Sequence, residues 1–462
     1  MPIPMSNLVE TFGSAAERGS GALFVGAGLS QAAGLPGWLD LIDDPRRKAG
    51  IPEMTDAPLM AQYIADSPRV GRSALDAHVL QEITKLDPSR TAPVHRLVAK
   101  LGVREIWTTN YDQLLETDCV DAVIVFDEDH VHDAGSKPKT IIKMHGSARH
   151  GDPPAWDAPP ILTREDYERY EDEHRRMWTM LQAVYLSRTI LFVGFSFTDP
   201  NVELLQKLAR RFRMTTGNKH LAIMRPPSEP DKLAHYTLQR DDLERSGIRI
   251  AEIMSHDDLT GVFSSLVVRT RRPKVFVSGS GTRSDFANHC ERMAANLEAE
   301  PTWEIASLGG PAGWLISKQL AALLAARGSY NASHIELYFR SRNSPPPPMD
   351  ARVGTAIYTD LERDALAPSV LEQCRSMLVL GGGPRTAEEI EWAKARGIGV
   401  VPLASSGGTA QAYFESVRHS PPGLGASAVD PGRWEKLNDP NPGVACSAAM
   451  DLLRQAMYYP HP

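Results

Sequence analysis

The stretch GALFVGAGLSQAAGLPGW, residues 21–38, limits what this chain can fold into more than any other segment. Residues 22–25 form an apolar run with β-branched and aromatic character, the pattern of a strand buried on both faces. Gly26, Ala27 and Gly28 then permit a tight turn. Residues 29–33 resume with helix-compatible side chains, and Ser30 stands where it can cap a helix or meet a phosphate. A strand, a glycine turn and a helix N-terminus aim backbone N–H groups and a positive dipole end at one point, where a diphosphate can sit. Glycine turns also join strands to helices where nothing binds, so this one gains its meaning from the rest of the chain.

Three later segments repeat the pattern. A strand at 103–108 ends in TTNYDQLLE, which puts Asn110 and Asp112 at the edge where open α/β sheets bind ligands. A plain helix cap would use the same residue types. Strands at 123–126 and 140–144 follow, and the second runs directly into His145-Gly146-Ser147. A histidine at a strand end, just before a glycine, can reach a ligand and is suited by type to take up a proton. After a charged helical stretch at 163–186, TILFVGFSFTDPNVELL supplies a strand at 189–193 and a second close-approach turn at Gly194-Phe195-Ser196. A helix capped from Asp199 comes next. Strands at 221–224 and 248–253 complete an alternation that predicts a doubly wound parallel sheet. Between 39 and 100 the pattern is helical, divided by prolines at 45, 52, 58, 68, 88 and 93.

A chain of 462 residues exceeds one ordinary core, so at least two domains are expected. The basic segment VVRTRRPK, 267–274, marks a boundary near 270, giving units 1–270 and 274–462. In the second unit a strand at 274–277 leads into Ser278, Gly279, Ser280 and Gly281, another phosphate-type turn, and then a helix at 285–298. Strands at 303–308 and 335–339 come next, the latter followed by Arg340 and Arg342. The run SRNSPPPPMD reads as an exposed loop of polyproline character. A strand at 377–380 feeds GGGPRTAEEIEWA, in which Gly382 and Gly383 permit close approach, Thr386 can reach a phosphate or ribose, and Glu389 lies one helical turn further on. A last strand occupies 399–403.

Composition narrows the partners. A net charge of -7 offers no basic footprint for nucleic acid. The four cysteines, Cys119, Cys290, Cys374 and Cys446, form no C-x-x-C pair, which argues against a disulfide framework or local zinc module and fits a reducing cytoplasm. No apolar run approaches the roughly 18 residues that would span a bilayer. The expectation is a soluble cytoplasmic protein with no metal, nucleic-acid or membrane partner.

GAGLSQAAGLPGW, TTNYDQLLE, KMHGSA and VGFSFTDPN, in that order across residues 5–268, resemble the sirtuin (Sir2) superfamily. The resemblance implies NAD as substrate, with Ala27, Gly28 and Ser30 on the diphosphate and nicotinamide side. Asn110 and Asp112 would face the nicotinamide ribose, and Asn110 and His145 would be the catalytic pair. Gly194 and Ser196 would lie along the adenosine half, with Asp199 among the cofactor contacts. The departures have meaning too. Thr109 stands where protein deacylases of the superfamily carry glutamine, and Gly37-Trp38 follow Pro36 in place of Asp-Phe-Arg. The paired cysteines of the deacylase zinc module are missing. The pattern matches the bacterial NAD-hydrolysing branch, which lacks that module; an NAD-dependent deacylase and a non-catalytic nucleotide-sensing module are the other readings.

The second unit resembles the SLOG superfamily of Rossmann-like folds through Gly382, Gly383, Thr386 and Glu389, with Arg385 in place of a third glycine. That replacement favours binding over phosphoribohydrolase chemistry. A Sir2 unit followed by a SLOG unit resembles the effectors of the bacterial Thoeris anti-phage system. This implies an NAD+ hydrolase that yields ADP-ribose and nicotinamide and depletes NAD in abortive infection. Its activator would be a cyclic ADP-ribose isomer made by a TIR-domain protein. Ser278, Gly279, Ser280, Arg340, Gly382, Gly383, Thr386 and Glu389 would hold that activator, and the assembly would be a homo-oligomer, a tetramer or higher.

Overall fold

The apolar run after Gly21 forms a strand, β1 (Gly21–Val25), and all five of its residues are buried. In the computed structural model, which describes residues 2–195, 197, 220–281, 286–340, 352–425 and 427–457, this strand is the centre of a seven-stranded sheet. The other strands are β2 (Glu105–Thr108), β3 (Ala122–Val125), β4 (Lys139–Lys143), β7 (Thr189–Val193), β8 (His220–Met224) and β9 (Ile248–Glu252). Their order is β3-β4-β2-β1-β7-β8-β9, and every pairing is parallel. A short antiparallel pair, β5 (Ser147–Arg149) and β6 (Ala155–Ala158), follows β4 and was not legible as strands in the sequence. The chain divides into two units, Met1–Thr270 and Arg271–Pro462.

The second unit has its own sheet. Its strands are β10 (Lys274–Ser280), β11 (Glu304–Ser307), β12 (Ile335–Arg340), β13 (Thr355–Thr359), β14 (Ser376–Gly381) and β15 (Gly399–Leu403). They are parallel, in the order β13-β12-β11-β10-β14-β15. Alternation along β10 shows how both faces are covered. Val275 and Val277 pack in one core with the helices Phe286–Leu297, Pro311–Ala326 and Pro442–Met457, while Phe276 packs in a second core. The architecture is α/β, with two open parallel sheets flanked by helices.

Glycine is required where the sheets' central strands end. A Cβ on Gly26 would lie 2.4 Å from the carbonyl oxygen of Gly194, and one on Gly28 would lie 2.9 Å from the Gly194 Cα. Gly194 itself has a φ of 67°, and the Gly28 N–H donates to its carbonyl at 2.9 Å. In the second unit, Gly279 has a φ of 132°, and a Cβ there would meet the Leu380 oxygen at 1.8 Å. In each unit two strand ends touch backbone to backbone.

Several sequence expectations shift. The strand leading to Ser278 runs through Ser280, so Ser278, Gly279 and Ser280 are strand residues rather than a turn. The Gly382 N–H donates to the Ser280 carbonyl at 2.6 Å, which extends the pairing with β14 to that point. Ser30 is no cap. Gly26 occupies the N-cap of the five-residue helix Ala27–Gln31, and Ser30 lies within it. The charged stretch at 163–186 is two helices, Arg164–Glu173 and Arg175–Ser187, broken at His174. Glu128 makes that break workable, because its carboxylate accepts from the N–H groups of Arg176 and Met177 at 2.8 and 3.0 Å. The proline run lies outside the described residues.

His95 on the helix Pro93–Lys100 is 1% exposed, and neither ring nitrogen has a partner among the described residues. Burial pushes its pKa below the ordinary value of 6.5, against the pull of Asp112 and Asp118. Below that value the unfolded chain takes up a proton that the folded chain refuses, so stability falls as pH drops from 6.5. In denaturant titrations between pH 7 and 5, His95→Leu should flatten this loss, by up to about 1.4 kcal/mol per pH unit. Gly279→Ala should cost about 2–4 kcal/mol in the same assay.

Candidate functional site

The carboxyl ends of β1, β2 and β4 meet at a cavity of about 80 Å³. Leu35, Pro36, Trp38, Leu41 and Ile83 give it a largely apolar wall, while Ser30, Asn110, Asp112 and His145 bring polar groups to it. An apolar cavity with a few convergent polar side chains is the common form of a small-molecule site. All four polar residues are at least nine-tenths buried, so every hydrogen bond they lack costs free energy.

The wall formed by the β2 loop is a single network. Asn110 spends both amide hydrogens, on the Gly26 carbonyl at 3.1 Å and on Ser30 Oγ at 2.8 Å. Ser30 in turn donates to Asp112 Oδ2 at 2.7 Å. Since a carbonyl can only accept and the Ser30 proton is already committed, the amide orientation of Asn110 is dictated by its neighbours. Among the described residues its Oδ1 has no hydrogen-bond partner. The second Asp112 oxygen accepts from the Leu114 N–H at 3.1 Å, the first N–H of the helix Leu114–Asp118, whose N-cap position is Gln113.

His145 forms the opposite wall. Its ring lies edge-on to Tyr167 with centroids 5.2 Å apart, and Tyr167 Oη lies 3.5 Å from its Nδ1. The Ile161 N–H donates to its carbonyl at 3.0 Å. Gly146, with φ at 95°, turns the chain where a Cβ would meet the Pro159 oxygen at 2.3 Å. The glycine after the histidine thus serves the backbone, and Tyr167 sets the ring.

A second, larger cavity of about 600 Å³ lies in the other unit at the ends of β10, β11 and β12 and over the helix Pro384–Lys394. Three guanidinium side chains line it, Arg340, Arg363 and Arg385, together with Tyr338 and Phe339. Glu389 is buried within it. One carboxylate oxygen accepts from Arg363 at 2.8 Å, and the other accepts a short hydrogen bond from the Ser278 hydroxyl. Arg363 also stacks over the Trp392 ring at 5.1 Å and donates to the Arg385 carbonyl at 2.6 Å. Arg340, more exposed, pairs with Glu362 at 2.6 Å.

The structure brings together Ala27, Ser30, Asn110, Asp112 and His145 in the first cavity, and Ser278, Gly279, Ser280, Arg340, Thr386 and Glu389 in the second. Gly28 and Gly194 do not line the first cavity; they pack against each other. Gly382 and Gly383 do not line the second. Gly382, at φ 101°, wraps Thr386, and Gly383 is the N-cap of the helix that carries Thr386 and Glu389. Ser196 and Asp199 lie outside the described residues. Sequence reasoning missed Trp38 and Tyr167 at the first site and Arg363 at the second. Trp38 closes the motif GAGLSQAAGLPGW but carried no site role there; no motif surrounds Tyr167 or Arg363, and Arg363 is found only through its contact with Glu389.

Among the described residues, no group of three or more His, Cys, Asp or Glu side chains could hold a metal ion, and no helix is long and apolar enough to cross a membrane. Residues 104–250 match the family model for a SIR2-like domain. An NAD(+) hydrolase named ThsA from Enterococcus faecium is 29% identical over 297 residues, 59% of this chain and 60% of that protein. A ThsA NAD(+) hydrolase from Acinetobacter baumannii is 30% identical over 281 residues, 57% of this chain and 56% of that protein. Defense-associated sirtuin 2 of Bacillus subtilis is 26% identical over 54% of this chain and 25% of its own length. The chain thus spans about 60% of the length of the ThsA relatives it matches. With its parallel sheet and its Asn110–His145 cavity, the chain carries a SIR2-like domain and is similar over more than half its length to NAD(+) hydrolases named ThsA.

Proposed function

We propose that the first unit hydrolyses NAD+ to ADP-ribose and nicotinamide, and that a nucleotide bound in the second unit controls it. The observation that carries this reading is the convergence of Asn110, Asp112 and His145 on an apolar cavity from the ends of adjacent strands. Its volume of about 80 Å³ admits one end of the dinucleotide at most, not the whole of it. The bond to be broken is already activated, because nicotinamide leaves as a neutral molecule from a pyridinium cation. As that bond breaks, positive charge moves from the ring to the ribose. An apolar wall around the ring and the Asp112 carboxylate near the ribose both favour this movement. Asn110 Oδ1, its amide hydrogens already committed, accepts a hydrogen bond from the attacking water and so orients it. His145 takes the proton as the water oxygen bonds to the ribose carbon. The balance is NAD+ plus water giving ADP-ribose, nicotinamide and a proton.

The second cavity supports the regulatory half. Its roughly 600 Å³ falls in the range of about 300–1,000 Å³ typical of ligand sites, and its arginines suit a diphosphate while its tyrosine and phenylalanine suit a base. We assign it a cyclic ADP-ribose isomer supplied by a TIR-domain protein. Ser278, Gly279, Ser280, Thr386 and Glu389 would hold this activator together with Arg340 and Arg363. Activation requires that it bind the active state of a homo-oligomer, a tetramer or higher, more tightly than the resting state. The outcome in the cell is NAD depletion during anti-phage abortive infection.

The test is nicotinamide release from NAD+ by the purified full chain, with and without cyclic ADP-ribose isomers. Turnover should rise with an isomer and need no acyl-lysine peptide; release that depends on such a peptide would replace this reading with a deacylase. Asn110→Ala and His145→Ala should each lower kcat/KM by about 10²-fold or more. Glu389→Gln should raise the isomer concentration needed for half-maximal turnover at least about tenfold, because Arg363 and Ser278 lose their shared acceptor charge.

A further inference from the structure

The loop after β2 that carries Asn110 and Asp112 offers two successive carbonyls, those of Tyr111 and Asp112, to a side chain of β4. Both point at one buried cation. Lys143 is the last residue of β4, and its side chain is 0% exposed. Its ammonium donates to the Tyr111 carbonyl at 3.0 Å, to the Asp112 carbonyl at 2.5 Å and to Glu116 Oε1 at 2.6 Å. An ammonium has three hydrogens, and all three are used. Glu116 lies on the helix that begins where the loop ends, so the three acceptors tie the loop at its middle and at its exit.

The same strand carries the other wall. The Met144 N–H donates to the Thr108 carbonyl at 2.9 Å, which continues the β4–β2 pairing past Lys143. One strand end therefore supplies His145 and, two residues earlier, the cation that holds Asn110 and Asp112 across from it. The Ala148 N–H adds a backbone donor to the Tyr111 oxygen, at 2.9 Å, so the chain just past His145 grips the same loop.

We propose that Lys143 is a positioning residue for NAD+ cleavage, setting the distance between the Asn110 wall and His145 by holding the carbonyls of Tyr111 and Asp112. This rests on the hydrolase reading of the first cavity. Lys143 is shielded from substrate by the loop it holds, so it acts through Asn110 and Asp112. A displacement of about 1 Å in such groups is enough to cost about 10²-fold in rate.

Three variants of the full chain separate this role from a structural one. Lys143→Met removes the donor. The double variant Lys143→Met/Glu116→Leu removes it without leaving a buried carboxylate unpaired, which protects folding. Glu116→Gln keeps the ammonium and its two carbonyl bonds. Each is read by thermal melting, by kcat and KM for NAD+, and by amide exchange at Asn110 and Leu114, whose N–H groups are tied to Thr108 Oγ1 and Asp112 Oδ1. The double variant should melt as one cooperative unit, lose kcat at least thirtyfold with KM within threefold, and exchange those two amides at least tenfold faster, with β1 and β2 unchanged. Glu116→Gln should keep kcat within threefold and leave the amides protected. A folded double variant with kcat within threefold of wild type, or a Glu116→Gln loss as large as that of Lys143→Met, overturns the proposal. If the wild-type chain leaves NAD+ intact with each cyclic ADP-ribose isomer supplied, the hydrolase reading fails, and unchanged amide exchange in the double variant then overturns the positioning role by itself.

Discussion

The contact on which both units are built is backbone against backbone, at the place where the central strand of each sheet ends. Gly28 meets Gly194 at the ends of β1 and β7, and Gly279 meets Leu380 at the ends of β10 and β14. No side chain fits between them. This is the point where strand order reverses, the usual ligand crevice of an open α/β sheet. In the first unit the described part of that crevice is closed by the contact itself, and the cavity opens one strand over, toward β2 and β4. The glycines that look made for a phosphate are needed first so that two strands can end side by side.

That displacement explains the character of the first cavity. The ends of β2 and β4 bring an asparagine, an aspartate and a histidine, while the segment after β1 contributes Leu35, Pro36 and Trp38. Polar groups in such a place must satisfy one another. Ser30 is the joint between them, because it accepts from Asn110 and donates to Asp112 and so fixes which atom of the asparagine is left over. The cavity's polar lining is then that asparagine, the aspartate and an imidazole.

Much of this was legible in the sequence, and the rest was not for definite physical reasons. The buried strands follow from apolar runs that end in glycine or short polar residues, and the same runs put Asn110, Asp112 and His145 just past strand ends. Those are local signals, set by the backbone within a few positions. What local signals cannot carry is a partner distant in the chain. Glu128 capping a helix 48 residues on breaks a charged stretch that reads as one helix. Arg363, 26 residues before Glu389, sits in DLERDA with nothing to distinguish it from a solvated charge. Edge strand β13 is largely exposed and lacks the apolar run that marks its neighbours. Ser278 to Ser280 read as a turn because they contain a glycine, yet that glycine is there to let β14 approach.

The second cavity raises a question of energy that its geometry helps to answer. A buried carboxylate such as Glu389 is costly unless paired, and here both oxygens are occupied by the chain itself. On the proposed reading, a nucleotide that draws Arg363 toward its phosphates must offer Glu389 a replacement donor, or lose the roughly 1.5–3 kcal/mol of a hydrogen bond to a charged group. A ribose hydroxyl can supply that donor, whereas a fully deprotonated anion such as sulfate cannot. The pairing that holds the cavity together thereby discriminates against anions with no proton to donate, although three arginines line it. A ligand carrying both diphosphate and free ribose hydroxyls satisfies Arg363 and Glu389 at once, and for such a ligand the exchange is close to neutral. Its net affinity then comes from Arg340, Arg385 and the aromatic wall, so differences in how well these are engaged are what can set one cyclic isomer apart from another.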